Sequence, residues 1–439
     1  MKKLKKLLYG IVAFCCGASF SACDLGGIMD DIGLPSNGIF GENTDGESNA
    51  DSSLSDSDTD FGDSEDTELG ESDSDSSSEE EDTSLGDSED SDLESSDESS
   101  SDSEDSSSDS EDSEEKPDTP DIVTDELSIH FLELGNKYTG DCTLIKVGDT
   151  EVLIDAGSRK GSAATIVEYV DEYCEDGVLE YVIATHAHQD HIAGFVGTST
   201  AEGIFESYEC ETIIDYPLSN ATSVIRADYE ELRDAEVETG AKHYTALECW
   251  NETNGAKRSY TLGEGITMNI LYQRFYEEKT SDENDYSVCV LVTQGENNYL
   301  FTGDLEKHGE ESLVASNDLP KCVLYKGGHH GSPTSSTTEL LAAIQPEIVC
   351  VCCCCGSTEY TTNIANVFPS QAFVDRIAPY TDKVYVTTLA VGSGFASMNG
   401  NIVVWSDGKE VEVNCSNNNT LFKDTEWFKA NRETPEAWQ

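Results

Sequence analysis

Positive charge is scarce in this 439-residue chain: 25 Lys and Arg stand against 89 Asp and Glu, a formal net charge of -64. The scarcity is uneven. Asp24 to Glu115 holds 36 acidic residues and no Lys or Arg, while the first 23 residues hold four Lys and no acid. Residues 116–439 keep 53 acids and 21 bases. An acidic surface repels polyanions at long range, which counts against a high-affinity DNA binder. A membrane-length apolar run is missing at the N-terminus: Leu7–Phe14 is too short to span a bilayer comfortably. Matched Cys-x-x-Cys pairs are missing too, so a structural zinc site of that kind is not expected among the 15 cysteines. Cys350 and Cys352–Cys355 instead fall in the apolar run Ile348–Cys355, a strand pattern that uses Cys as a small hydrophobe. Reduced thiols are the expectation, with one or two disulfides as the alternative.

What the N-terminus does contain is an address. Lys2, Lys3, Lys5 and Lys6 precede the apolar stretch and then small residues, the layout of a secretory signal peptide over residues 1–22. Phe20-Ser21-Ala22-Cys23 resembles a bacterial lipobox. That resemblance implies lipidation at Cys23 and a membrane anchor on the extracellular face of the cell. An ordinary signal peptide with an incidental Cys is the alternative. Residues 23–120 read as a disordered Ser/Asp/Glu-rich linker. From about Asn43 to Glu115 there is almost nothing to bury, so ordering entropy has no offset, and like charges extend the chain. Fully stretched, it would reach on the order of 200 Å.

Residues 121–415 have globular composition and suffice for one large domain, with 416–439 as a C-terminal tail. Leu127–Leu132, Cys142–Val147 and Val152–Asp155 alternate as strands, Gly148-Asp149 reads as a hairpin turn, and Ser162–Cys174 has helical spacing.

The centre of the domain is Thr185-His186-Ala187-His188-Gln189-Asp190-His191, between the strand-like Tyr181–Ala184 and a helix start at Ile192. Three of the chain's eight His sit here with a carboxylate between them. Imidazole and carboxylate together suit zinc, manganese or iron. Leu153–Gly157 and Tyr299–Asp304 each end a strand in an Asp, and Val323–Ser332 ends one in paired His329-His330. Ligands at several strand ends converge on one sheet edge.

The ordered set resembles the metallo-β-lactamase superfamily, in particular the C-terminal hydrolase domain of ComEC-type competence proteins, over about residues 127–415. The resemblance implies an α/β fold, an αββα sandwich, with two divalent ions, Zn or Mn, and a nuclease activity. It implies that Asp304 bridges the ions, that His329 or His330 is the last ligand, and that Asn284–Ser287 lies beside the site. Two positions depart from the pattern, Tyr272 and Phe368, where the family often has His. His186 and His188 are then expected on the first ion, and Asp190, His191 and one of His329 or His330 on the second. Asp190 also orients the attacking hydroxide. Ser287 is expected beside the substrate, with Ser332 and Ser335 holding its phosphate oxygens. His243, the only His between His191 and Asp304, reads as a surface residue. The leading expectation is a secreted, anchored phosphodiesterase or nuclease using water activated by two ions. The alternatives are a superfamily hydrolase acting on a lactone, β-lactam or thioester, or a surface protein with a vestigial metal site. A phosphodiester or nucleic-acid substrate and the membrane are the expected partners.

Overall fold

The computed structural model describes residues 123–439. The signal peptide, Cys23 and the acidic linker lie outside the described residues. Sixteen strands are present among those described: β1 (Leu127–Phe131), β2 (Thr143–Val147), β3 (Thr150–Ile154), β4 (Val178–Ile183), β5 (Glu209–Asp215), β6 (Lys242–Thr245), β7 (Ser259–Gly263), β8 (Ile266–Leu271), β9 (Cys289–Gln294), β10 (Asn297–Phe301), β11 (Leu324–Lys326), β12 (Ile348–Cys355), β13 (Val384–Val391), β14 (Gly394–Ser397), β15 (Ile402–Ser406) and β16 (Val411–Cys415). They form two eight-stranded sheets, ordered β16-β15-β1-β2-β3-β4-β5-β6 and β14-β13-β12-β11-β10-β9-β8-β7. In each sheet four consecutive strands are parallel, β3 to β6 in the first and β10 to β13 in the second. Helices over Ser162–Val170, Gln189–Val196 and Val224–Thr239 pack with the first sheet, and those over Lys307–Ser316, Thr338–Ile344 and Gln371–Ile377 with the second. The layers run helix, sheet, sheet, helix.

The cysteine-rich strand shows why that order suits this sequence. Along β12, Ile348, Cys350 and Cys352 enter the core shared by the two sheets, while Val349, Val351, Cys353 and Cys355 face the helices behind. A strand covered on both faces needs apolar residues throughout rather than alternation. Its cysteines are free and buried, as are the other described ones except the half-buried Cys415. Phe131 and Phe301 meet between the sheets with ring centroids 6.3 Å apart.

Three sequence expectations change. The helix begun at Ser162 stops at Val170, and its expected last turn is instead the acidic turn leading to Gly177, whose φ is +76°. His243, read as a surface residue, lies within β6 and is half-buried against Asp215. Residues 416–439 are no detached tail, because Phe422, Phe428 and Trp438 bury into the second core. No helix among the described residues is long and apolar enough to cross a membrane.

Candidate metal centre

Parallel strands leave their C-terminal ends on one edge of a sheet, where side chains from successive loops meet. Here Asp155 follows β3, Thr185 and His186 follow β4, Asp304 follows β10, and His329-His330 follow β11. The histidine loop leads straight into the Gln189–Val196 helix, which places Asp190 in its first turn. A carboxylate is favoured there by the helix dipole. Close approach is built in at Gly157: a Cβ at this position would lie 1.5 Å from the Asp190 carbonyl oxygen. Asp155, His329 and His330 hold left-handed backbone at φ values of 59°, 45° and 55°. Such φ values cost an L-residue roughly 1–2 kcal/mol each. Three strained non-glycine residues in one site mark it as the place where geometry outranks local comfort.

Each key imidazole is held from behind. His191 Nδ1 lies 2.8 Å from Asp155 Oδ2, and its Nε2 lies 3.0 Å from Asp304 Oδ2. Asp155 is itself held by the Thr185 backbone N–H at 2.7 Å and the Thr185 hydroxyl at 2.8 Å. His330 Nδ1 lies 2.9 Å from the Cys352 carbonyl oxygen, which holds a proton on Nδ1 and would leave Nε2 to a metal ion. That Nε2 sits 3.0 Å from Asp304 Oδ2 and 3.4 Å from Asp190 Oδ2. His186 Nε2 and His188 Nδ1 face each other at 3.0 Å. Burial, and the imidazoles of His191 and His188, hold His186 well below the usual histidine range, leaving it neutral.

The structure therefore brings His186, His188, Asp190, His191, Asp304 and His330 to one edge. His329 stands slightly apart. Its Nε2 is 3.9 Å from Asp304 Oδ2, its Nδ1 is 3.2 Å from Glu306 Oε1, and its side chain is partly exposed. His330, fully buried between Asp304 and Asp190, is the better placed of the pair.

The serines fall differently. Ser287 is buried, accepts the Asp304 backbone N–H at 3.1 Å and lies 3.4 Å from His186 Nδ1, so it braces two site residues from beneath. Ser335 is buried and donates to the Gly328 carbonyl at 2.8 Å. Both hydroxyls are engaged with the protein itself, where the sequence expectation had them beside or holding a substrate. Ser332 is also buried and bonds the Thr334 hydroxyl at 2.8 Å. His243 is elsewhere, with Nε2 2.8 Å from Asp215 Oδ1.

Three functional side chains were missed in the sequence. Asp141 lies 3.3 Å from His330 Nδ1 and 3.7 Å from His191 Nδ1, on the outer side of both rings. It groups with His191, Asp304 and His330 within one cluster of possible ligands. Its position behind the imidazoles makes it a supporting carboxylate rather than a ligand. Lys326 is buried, pairs with Asp141, donates to the Gly303 carbonyl at 3.1 Å and lies 3.6 Å from Asp304 Oδ1. Burial alone would lower its pKa, but Asp141 and Asp304 outweigh it and keep the ammonium charged. Tyr360 donates from its hydroxyl to Asp190 Oδ2 at 2.6 Å. Lys326 stands just before the Gly-Gly-His-His turn, a signal available in hindsight. Tyr360 sits in a long loop with none.

The donor set fits divalent cations. Imidazole nitrogens and carboxylate oxygens converge from both sheets, and His330 Nε2 and Asp304 Oδ1 are buried without a hydrogen-bond partner among the described residues. Burial raises the Asp304 pKa, but the His191 and His330 imidazoles overcome it and keep the carboxylate ionised.

A helix–sheet–sheet–helix sandwich with His and Asp ligands at its sheet edge defines the metallo-β-lactamase fold, whose members are metal-dependent hydrolases. Residues 135–204 match the family model described as Metallo-beta-lactamase superfamily. Its curated relatives include Recombination protein 2 of Haemophilus influenzae, 28% identical over 213 residues that make up 48% of this chain and 22% of that protein. Competence protein ComA of Neisseria gonorrhoeae is 26% identical over 271 residues, 60% of this chain and 32% of that protein. The chain thus spans a third or less of these relatives. The metallo-β-lactamase fold protein YhfI of Bacillus subtilis, a solved structure, aligns over 64% of this chain and 100% of its own, with 14% identity and a TM-score of 0.36.

Proposed function

We propose that this chain is a two-metal phosphodiesterase acting on nucleic acid, carried on the extracellular face of a bacterial membrane by a lipid on Cys23. The observation that carries the catalytic part is the meeting of His191 Nε2 and His330 Nε2 on one oxygen of Asp304, at 3.0 Å each. His186 Nε2 and His188 Nδ1 would hold one ion, and Asp190, His191 and His330 the other, with Asp304 between them. Ions there supply a water of lowered pKa and polarise a phosphoryl oxygen. Asp155 and the Cys352 carbonyl keep the His191 and His330 protons on Nδ1. Asp190, aligned by the Tyr360 hydroxyl, orients the attacking oxygen. The buried Lys326 fixes Asp141 and Asp304 in place. The relatives' names, a competence protein and a recombination protein, support nucleic acid as the polymer.

The acidic surface favours a second reading, a hydrolase of small uncharged esters or lactones. Full-length protein stripped of metal and reloaded with Mn²⁺ or Zn²⁺ separates the two. Hydrolysis of single-stranded DNA and bis(p-nitrophenyl) phosphate, with no turnover of lactone or β-lactam, is the expected result. Lactone or β-lactam turnover without phosphodiester cleavage rejects the proposal.

A further inference from the structure

A cavity of about 370 Å³ lies next to the candidate metal centre, lined by Lys137, Tyr138, the 356–359 loop and the β13–β14 turn around Gly392. Its walls belong to the site's own loops. Glu359 accepts the Thr139 backbone N–H at 3.0 Å, two residues before Asp141, and the next residue is the Tyr360 that bonds Asp190. Glu359 also pairs with Arg159, whose guanidinium carbon lies 4.1 Å from the centre of the Tyr138 ring.

The rim of this cavity is unusual for so polar a protein. Three of the eight exposed large hydrophobics among the described residues, Tyr138, Val391 and Phe395, come from these segments, and a fourth, Tyr360, directly follows the 356–359 loop. Phe395 is 40% exposed and pairs directly with Ala390, a cavity-lining residue. Paired residues of an antiparallel ladder share a face, so the Phe395 ring stands on the cavity side. Tyr138, 37% exposed, stands on the same rim with the cations of Lys137 and Arg159 at its ring. Lys137 has no carboxylate partner among the described residues.

We infer that this rim is a base-stacking subsite: the Tyr138 and Phe395 rings take an unpaired nucleobase, and Lys137 takes a phosphate flanking the one at the metal centre. The inference rests on the phosphodiesterase reading and names its substrate as single-stranded nucleic acid. Exposed aromatic rings beside a cation match a planar base joined to a phosphate, because every base offers a π-face and each phosphate a charge. The cavity is of the size that holds a small planar ligand. A paired base within a duplex has its faces covered and does not fit.

The test is binding, which needs no turnover. A fluorescent oligothymidylate, its abasic counterpart and a duplex are titrated by anisotropy against the full chain loaded with Mn²⁺. Asp304→Ala protein provides a control that does not cleave. The single strand should bind about tenfold more tightly than the abasic strand or the duplex, the order of one base stack. Tyr138→Leu and Phe395→Leu should each remove that preference, and Tyr138→Phe should keep it. Neither leucine change should alter cleavage of the abasic strand, which has no ring to stack. Equal binding of the intact and abasic strands overturns the subsite, as does an equal loss on both strands. If the base preference appears but no phosphodiester is cleaved, the subsite stands and the phosphodiesterase reading falls.

Discussion

Replacing Asp155 with Asn is the sharpest probe of the metal centre, because it removes one charge and turns one acceptor into a donor at almost no change in volume. Asp155 accepts three hydrogen bonds, from the Thr185 backbone N–H, the Thr185 hydroxyl and His191 Nδ1, at 2.7, 2.8 and 2.8 Å. An Asn side chain can keep its carbonyl oxygen on the Thr185 N–H. Its amide then faces His191 Nδ1 as a donor. Two donors cannot share that hydrogen bond, so His191 moves its proton to Nε2. That atom is the one 3.0 Å from Asp304, where a ligand lone pair is needed. Losing such a supporting partner costs roughly 10- to 100-fold in metal affinity, or about 1.4–2.7 kcal/mol. Competition with a chromophoric chelator measures the affinity, and circular dichroism checks that the fold survives. The weaker of two binding events should stay as it is if His186 and His188 hold their ion independently, and the event that includes His191 should weaken. A folded Asp155→Asn protein with both affinities within twofold of the parent would refute the tautomer argument.

Other outcomes follow from the same structure. Burial pushes the His130 pKa down to about 4, so its neutral form stabilises the fold fully above pH 6.5 and that contribution is lost as pH falls toward 4. Relative to His130→Phe, metal-free protein should lose roughly 2 kcal/mol between pH 6.5 and 4.5 by urea unfolding, and parallel curves would refute this. Asp304→Ala should abolish hydrolysis and lower metal stoichiometry, whereas His243→Ala, half-buried against Asp215, should leave both near the parent values. In metal-depleted protein, activity should return only with the second equivalent; full activity with one bound ion rejects the two-metal scheme. Cys23→Ser should release the protein from membranes in a fractionation assay, and retention of a normally processed form would dismiss the lipoprotein reading. Deleting residues 43–115 should leave specific activity unchanged, and a large drop in melting temperature would show that the segment docks on the domain.

The strand ends were legible in the sequence because they combine two independent signals. A β-branched or aromatic run ends in Asp or His, as in Val182-Ile183-Ala184-Thr185-His186 and Leu300-Phe301-Thr302-Gly303-Asp304. Periodicity places the element, and residue chemistry places the site. Burial on both faces of β12 was legible for the same reason, since Cys can act as a small apolar residue. Contacts made across the fold were not legible. Asp141 and Lys326 are 185 residues apart, one in the 132–142 loop after β1 of the first sheet and the other at the end of β11 inside the second, and meet only where the two sheets pack. Tyr360 reaches Asp190 across 170 residues from a loop that has no periodic pattern. Nor does a string of residues show that the Ser287 and Ser335 hydroxyls are buried and bonded within the protein.

Charge resolves the tension between an acidic domain and an anionic substrate. Asp141, Asp155, Asp190 and Asp304 are all buried at this edge, and Lys326 is the buried ammonium among them. Imidazoles bound to metal would be neutral, and these five groups would then carry a formal charge of minus three at the site. One divalent ion leaves the site still negative, so a phosphodiester would meet net repulsion at short range in a medium of low dielectric. A second divalent ion turns the local sum positive. Only the doubly loaded site therefore attracts the substrate, whatever the sign of the distant surface. Salt screens that surface over about 8–10 Å near physiological ionic strength, whereas the buried charges are screened much less. On the proposed phosphodiesterase reading, the acidic exterior would slow encounter without preventing binding, and a need for two ions is expected from electrostatics as well as from the proposed ligand set.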